Sequence, residues 1–209
     1  MQIQVGSLRL SGELTIPETA TGIVLFAHGS GSSRRSPRNQ FVARVINDAG
    51  IATLLFDLLT REEEVIDNYT RELRFNIELL AQRLVTATDW LVHQSPTAKL
   101  VPGYFGASTG GAAALMAAAD SETRIGAVVS RGGRPDLAWP ALGRVRAPTL
   151  LIVGGLDGPV IQLNEKAYAE LRCTKELKIV PGATHLFEEP GKLEEVAHLA
   201  ADWFSKYLK

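Results

Sequence analysis

The fold is decided by one stretch of the sequence, Val101-Pro102-Gly103-Tyr104-Phe105-Gly106-Ala107-Ser108-Thr109-Gly110-Gly111, which runs into an alanine-rich segment starting at Ala112. An apolar run ends there at a Gly-x-Ser-x-Gly pattern, and this predicts a strand, a sharp turn and a helix. Strand and helix pass closely at such a turn, so the small residues Gly106 and Gly110 suit their positions. The turn would lift the Ser108 hydroxyl above the carboxyl edge of a sheet, beside the free N–H groups that begin the helix. The pattern alone is weak evidence, and it is the strand-turn-helix context that favours a nucleophile.

Length and composition are those of an ordinary globular protein, with 209 residues, 45% hydrophobic and 22% charged. They suit one domain over residues 1–209 and argue against disorder as the main state. The net charge of −1 and a pI near 6.4 give no basic field, so neither nucleic acid nor a membrane surface is an expected partner.

The number of cysteines and the first residues of the sequence indicate in which cellular compartment the protein is expected. Cys173 is the single cysteine and cannot form an internal disulfide, and no Cys/His cluster has the spacing of zinc ligands. Residues 1–6 lack the basic and apolar regions of a signal peptide, and no apolar run approaches the roughly 20 residues of a membrane span. We therefore expect a cytoplasmic protein without a bound metal.

Strand patterns alternate with helix patterns along most of the chain. Residues 3–16, interrupted by Gly6 and Gly12, predict an antiparallel hairpin at the edge of the sheet. Further strands are predicted over 23–27, 51–56, 99–105, 125–129, 149–153 and 177–180, and helices over 37–49, 70–93, 160–171 and 193–208, with a helix after Ser108 and a turn or short helix around 137–139. This alternation predicts an α/β fold with a mostly parallel sheet covered on both faces.

Residues 58–68 are interpreted as a connector. They contain the run Glu62-Glu63-Glu64, which is typical of a solvated acidic face. Thr70 is then the expected N-cap of the long helix that follows.

Distinctive loops follow several of the predicted strands, and ligands bind beyond the carboxyl ends of strands in an open parallel sheet. A serine hydroxyl is a poor nucleophile at neutral pH, so it needs a general base, and the base needs an acid that fixes its tautomer. Ser108, Asp157 and His185 follow three such strands, in the chain order expected of an α/β-hydrolase triad. We predict that they act together.

Other residues compete for two of these roles. Asp136 is the alternative acid, although Asp157 follows a clearer strand. His28, His93 and His198 are the alternative bases. His93 and His198 fall on predicted helices, where surface or capping histidines are common, and His28 is expected to hold a loop in place.

From about Ile23 the chain resembles the α/β-hydrolase superfamily, and within it the dienelactone hydrolase-like group of esterases. The resemblance rests on four loops at strand ends: His28-Gly29-Ser30-Gly31, Gly106-Ala107-Ser108-Thr109-Gly110, Gly154-Gly155-Leu156-Asp157 and Gly182-Ala183-Thr184-His185. It implies an oxyanion hole made by the N–H groups of Ser30 and Thr109. The turn between strand and helix that carries the nucleophile is called the nucleophile elbow. Dienelactone hydrolases proper have a cysteine there, whereas this chain has Ser108, and this difference puts dienelactone itself in doubt as the substrate.

Several arginines lie near the predicted site. The loop 32–38 contains Arg34, Arg35 and Arg38, and Arg131 and Arg134 follow a neighbouring strand. Because a guanidinium matches the geometry of carboxylate and phosphate, Arg34 and Arg131 are candidates for binding an anionic substrate. The alternative is that they are solvated or paired with nearby acids.

The length of one loop indicates how deep the substrate pocket is. The short segment between residues 129 and 149 leaves no room for a large lid, so a shallow pocket is expected, with Trp139 as a candidate wall residue.

The sequence thus predicts a serine hydrolase of small carboxylic esters or lactones that needs no cofactor. A thioesterase or acyltransferase would use the same triad, since the acceptor of the acyl group decides the reaction. A non-catalytic binding module with this fold is the alternative of a different class; such modules usually lack one of the three triad residues.

Overall fold

The computed structural model covers residues 1–209 and contains one eight-stranded sheet in the order β1-β2-β4-β3-β5-β6-β7-β8. The strands are β1 Gln2–Val5, β2 Leu8–Thr15, β3 Gly22–Ala27, β4 Ala52–Phe56, β5 Val101–Ala107, β6 Ala127–Arg131, β7 Thr149–Gly154 and β8 Lys175–Val180. The pairs β1/β2 and β2/β4 are antiparallel, and all other pairs are parallel. The predicted mostly parallel sheet with an N-terminal edge hairpin is confirmed.

Six α-helices surround the sheet: α1 Pro37–Asp48, α2 Arg61–Thr70, α3 Ile77–Val92, α4 Thr109–Asp120, α5 Gly158–Glu170 and α6 Lys192–Tyr207. Short 3-10 helical segments cover Leu73–Phe75 and Pro135–Arg144. None of the helices combines the length and apolar character needed to cross a lipid bilayer.

The apolar residues form two clusters, one on each face of the sheet. Helices α3 and α4 contribute to one cluster, and α1 and α6 to the other. The central strands β3, β4, β6 and β7 consist entirely of buried residues. This burial on both faces explains why most of their residues are apolar, without an alternating pattern.

The connector predicted over residues 58–68 is wrong, because α2 forms there. Thr60 accepts a hydrogen bond from the Glu63 N–H, and the Glu63 carboxylate accepts one from the Thr60 N–H, so the two residues form a capping box. Thr70 ends α2 instead of capping the next helix, which begins at Ile77 with Asn76 as its N-cap. The long helix α3 therefore begins later in the chain than predicted.

Strand β6 also ends later than the sequence predicted. Ser130 and Arg131 are its last two residues, so Arg131 lies in the sheet next to the end of β5, where Ala107 is its neighbour. This places the Arg131 side chain in a buried position instead of a solvated loop.

Candidate active site

Ser108 lies in the predicted sharp turn, between β5 and α4, and its backbone is strained. Its φ is 53° and its ψ −119°, a conformation that costs a non-glycine residue about 1–3 kcal/mol. Its N–H donates to the Arg131 carbonyl at 3.1 Å, and its own carbonyl accepts from the Arg134 N–H at 3.1 Å. Hydrogen bonds of both the N–H and the carbonyl of Ser108 therefore hold the turn in place.

The glycines of the elbow are required by close backbone contacts. A Cβ atom on Gly110 would collide with the backbone of Ala27 and His28, and one on Gly106 would collide with the backbone of Gly110. Strand β3, strand β5 and helix α4 can therefore approach one another only because these positions lack a side chain.

The structure brings Ser108, Asp157 and His185 together. His185 Nδ1 lies 2.7 Å from Asp157 Oδ2, and His185 Nε2 lies 3.3 Å from Ser108 Oγ. The first distance is that of a strong hydrogen bond and the second that of a longer one, which is common when no substrate is bound. With Nδ1 protonated and donating to Asp157, Nε2 is free to accept the Ser108 proton.

The alternative acid Asp136 and the alternative bases His93 and His198 do not take part in this arrangement. Asp136 accepts two hydrogen bonds from Arg134, at 2.9 and 2.8 Å. His93 is exposed and contacts the Asp89 carbonyl through Nδ1, and His198 is exposed on α6. None of these side chains contacts Ser108.

Both ring nitrogens of His28 form hydrogen bonds with the backbone. Its Nδ1 lies 3.0 Å from the Gly29 carbonyl, and its Nε2 accepts the Leu58 N–H at 3.1 Å. Nδ1 therefore carries the proton, and burial lowers the pKa of the ring below 6.5 although nearby Asp57 and Glu64 oppose the shift. This neutral histidine ties the loop after β3 to the loop after β4.

The N–H groups predicted for the oxyanion hole belong to Ser30, in the loop after β3, and to Thr109, at the start of α4. The N–H groups of Ser30 and Thr109 take no part in the turn, loop and cap hydrogen bonds of the chain. Thr109 is the first residue of α4, so its N–H also has no partner within the helix. The assignment of these two N–H groups to an oxyanion hole stays a prediction.

A cavity of about 240 Å³ opens at Ser108 and His185. Its other walls are made by Gly29, Ser30, Ser32, Ser36, Arg38, Asn39, Ala107, Arg131 and Leu186. The volume is below the roughly 300–1,000 Å³ that is usual for small-molecule sites.

The three candidate substrate-binding residues fall in different places. Arg131 lines this cavity. Arg34 does not, because its guanidinium pairs with the Asp57 carboxylate and lies 3.5 Å from Glu13. Trp139 is 45% exposed on the 3-10 segment and is not among the cavity residues.

Arg38, Asn39 and Leu186 are cavity residues that the sequence did not single out as contacts. Arg38 was visible only as one of several arginines in its loop. Its position in the first turn of α1, after the N-cap Ser36, is what directs it to the cavity.

The overall fold is similar to that of proteins with solved structures. A dienelactone hydrolase from Anabaena variabilis shares 63% sequence identity with this chain, and the alignment covers 100% of this chain and 97% of that one with a TM-score of 0.98. Est1E from Butyrivibrio proteoclasticus, in a structure with bound ferulic acid, has a TM-score of 0.84 at 15% identity, and the alignment covers 99% of this chain and 98% of that one. At that identity the likeness concerns the fold alone.

Among curated proteins, the chain is 59% identical over 208 residues to proteins from two strains of Mycobacterium tuberculosis that are provisionally named phosphoribosyl transferases. The alignment covers 100% of this chain but 46% of each relative, so the chain spans about half the length of the curated relatives it matches.

A family model agrees with the structural comparison. The model described as the dienelactone hydrolase family matches residues 10–209, which include the elbow, both loops that carry Asp157 and His185, and the His28 loop. The chain therefore belongs to the dienelactone hydrolase family, a family of hydrolases with the α/β-hydrolase fold.

Proposed function

We propose that this protein is a serine hydrolase that cleaves small carboxylic esters or lactones through an acyl-enzyme on Ser108. The observation that carries the proposal is the position of His185, whose ring reaches Asp157 on one side and Ser108 on the other. A serine at a strained turn, in contact with a histidine that is itself in contact with an aspartate, is an arrangement suited to acyl transfer.

In the proposed first half-reaction, His185 Nε2 takes the Ser108 proton while Oγ attacks the carbonyl carbon of the substrate. The N–H groups of Ser30 and Thr109 stabilise the negative oxygen that forms, and Asp157 stabilises the imidazolium. When the intermediate collapses, His185 gives its proton to the leaving alcohol or, in a lactone, to the ring oxygen.

In the second half-reaction, His185 removes a proton from water, which attacks the acyl-enzyme and regenerates Ser108. The His185 side chain is 39% exposed, so water can reach it from bulk solvent. This accessibility favours hydrolysis over transfer to a second substrate, which would need protection from water.

The small cavity also limits the substrate. A space of about 240 Å³ fits a short acyl group better than a long chain. We therefore expect small esters and lactones, bound by the protein without an organic cofactor or a metal ion.

The name of the M. tuberculosis relatives suggests a different reaction, phosphoribosyl transfer. Those proteins are about twice as long as the matched region, so their name covers more than the part that resembles this chain. We propose that ester cleavage is the chemistry of the matched part. Pyrophosphate release from phosphoribosyl pyrophosphate, assayed with this chain and a set of nucleobases, should stay at background.

Labelling and turnover of matched variants test the proposal. A fluorophosphonate probe should label the wild type and leave Ser108→Ala unlabelled. Hydrolysis of 4-nitrophenyl acetate should fall by about 10³-fold or more in Ser108→Ala and in His185→Ala, because removal of a triad member leaves only the oxyanion hole and binding.

The control variant is Ser121→Ala, which lies at the far end of α4 from the elbow. It should keep both the label and the turnover. Equal labelling of wild type and Ser108→Ala would exclude Ser108 as the nucleophile, and probe labelling without ester turnover would favour an acyltransferase.

A further inference from the structure

Helix α2 exposes large apolar side chains to solvent. Tyr69 is 88% exposed, and Val65 and Ile66 are each more than half exposed. These three residues lie one and four positions apart, so they share one side of the helix, which we call the apolar side of α2. Phe75, in the 3-10 turn that follows, is also more than half exposed. The exposed residues are therefore clustered in one segment instead of being scattered singly over the surface.

Polar side chains of α2 face the protein instead. Asp67 is buried and binds Arg74, and Glu63 binds Arg83 of α3. A surface helix ordinarily has the reverse arrangement, with its apolar residues on the core and its charged residues in water. None of the residues on the apolar side of α2 belongs to either core cluster. Ion pairs thus hold α2 to the protein, and its apolar side has no partner within the chain.

The size of this apolar surface is that of an interaction site. An aromatic side chain can bury about 150–250 Å². The apolar side of α2 and Phe75 together therefore expose on the order of 400 Å², and an apolar patch of that size on a monomer is often functional.

The charges at the two ends of α2 suit a second copy of this chain as the partner. Arg61 and Glu62 begin the helix, and Arg71 and Glu72 follow its last residue. All four side chains are exposed, and none forms a salt bridge within the chain. In an antiparallel pair about a two-fold axis, the start of one helix lies beside the end of the other. Glu62 of one copy then lies near Arg71 of the other, and Arg61 lies near Glu72.

The same helix is poorly suited to a lipid surface. Helices that lie on membranes carry lysine and arginine on their polar side, where they are attracted to anionic lipids. Helix α2 instead has the acidic residues Glu62, Glu63 and Glu64 in its first turn. A second copy of the chain offers both an apolar surface and charges of the opposite sign.

We propose that α2 forms a two-fold symmetric interface between two copies of this chain, in which the apolar side of α2 packs on the same side of the partner helix. Two such patches and their flanking charges bury on the order of 1,000 Å² in total, at the lower end of specific interfaces. The dimer is therefore in equilibrium with the monomer. This inference is independent of the proposed ester chemistry, because none of these residues lines the cavity at Ser108.

Sedimentation velocity of the full chain tests the interface. The wild type should change from monomer to dimer between about 1 and 300 μM, a range that spans the dissociation constants of small interfaces. Ile66→Lys places two like charges at the centre of the interface, so it should raise the dissociation constant by about tenfold or more. Ile179→Lys is the matched control, because Ile179 is an exposed isoleucine on β8, and it should dimerise as the wild type does. Circular dichroism should show that both variants are folded.

Exchange of charges tests the antiparallel orientation. Glu62→Arg and Arg71→Glu should each weaken the dimer by about threefold or more, because each places like charges opposite each other. The double variant restores the opposite signs and should regain most of the affinity. A change that only weakened α2 within one copy would not be rescued by the second substitution.

Three results would overturn the inference. The first is a wild type that stays monomeric over the whole concentration range. The second is a dimer that Ile66→Lys does not weaken. The third is a monomer that binds phosphatidylcholine vesicles through the apolar side of α2, which would assign this surface to lipid.

Discussion

At the scale of single residues, Ser108 has a positive φ and forms backbone hydrogen bonds with Arg131 at the end of β6 and with Arg134 just after it, and its hydroxyl lies 3.3 Å from His185 Nε2. The strained turn is stable because Gly106 and Gly110 let the surrounding backbone close around it. The backbone around Ser108 therefore has a defined geometry without a substrate, which the proposed reaction requires.

The acid of the proposed triad can be tested by a matched pair of isosteric variants. In Asp157→Asn the amide cannot hold His185 in the tautomer that accepts the Ser108 proton, so kcat for 4-nitrophenyl acetate should fall by about 10³–10⁴-fold. Asp136→Asn, which only loses its bonds to Arg134, should keep kcat within about threefold. A larger loss in Asp136→Asn than in Asp157→Asn would reverse the assignment.

At the scale of elements, the site is built from loops at one edge of the sheet, and contacts between loops fix their positions. The His28 ring joins the loop after β3, which carries Ser30, to the start of the loop after β4. Helix α2 then follows, held to the body of the protein by Glu63, which binds Arg83 of α3. The loops beside Ser108 are thus supported from a helix that the sequence pattern did not reveal.

The pH dependence of stability should report on His28. Its pKa is lowered by burial in the folded protein, so the unfolded chain takes up the proton first as the pH falls. The contribution of the neutral ring is complete above about pH 6.5 and is lost as the pH falls through the lower folded-state pKa, at ~1.4 kcal/mol for each unit between the two values.

Urea unfolding at pH 7.5 and pH 5.5 would measure this. His28→Gln should be less stable than the wild type at pH 7.5 and should lose less stability on going to pH 5.5. The exposed His198→Gln is the control and should follow the wild-type pH dependence. A His28→Gln variant with an unchanged pH slope would contradict the assignment of a neutral buried ring.

At the scale of the whole molecule, the residue that follows α6 covers the amino-terminal ends of the central strands, away from the candidate site. Leu208 follows α6, is 1% exposed and lies against Gly22, Gly103 and Gly126 at the start of the central strands. Its carbonyl also accepts a hydrogen bond from the Thr21 hydroxyl at 2.8 Å. The last helix thereby joins residues that are far apart in sequence.

Truncation of this side chain should therefore destabilise the whole fold. Leu208→Ala removes buried methyl groups and leaves a cavity, so the free energy of unfolding should fall by about 2–5 kcal/mol in a urea titration. Leu156→Ala is the matched control, because Leu156 is 67% exposed, and it should change stability by less than about 0.5 kcal/mol. A fully folded Leu208→Ala protein with wild-type stability would show that this contact is not structural.

Elements with local sequence patterns could be predicted without the structure. Buried strands appeared as apolar runs because both of their faces are covered, and the elbow was visible because close backbone packing admits only small residues around Ser108. Helix α2 was missed although its capping box from Thr60 to Glu63 is a local signal, because its exposed acidic residues read as a connector.

Tertiary structure alone decided which side chains meet. The sequence left Asp136 and Asp157 as alternative acids and Arg34 and Arg131 as equal candidates, since a side chain's partners depend on neighbouring strands that are distant in sequence. The fold pairs Arg34 with Asp57 and leaves Arg131 buried and unpaired beside Ser108. The physical reason is that burial and charge pairing are properties of the assembled sheet edge, whereas periodicity and turn chemistry are properties of the chain.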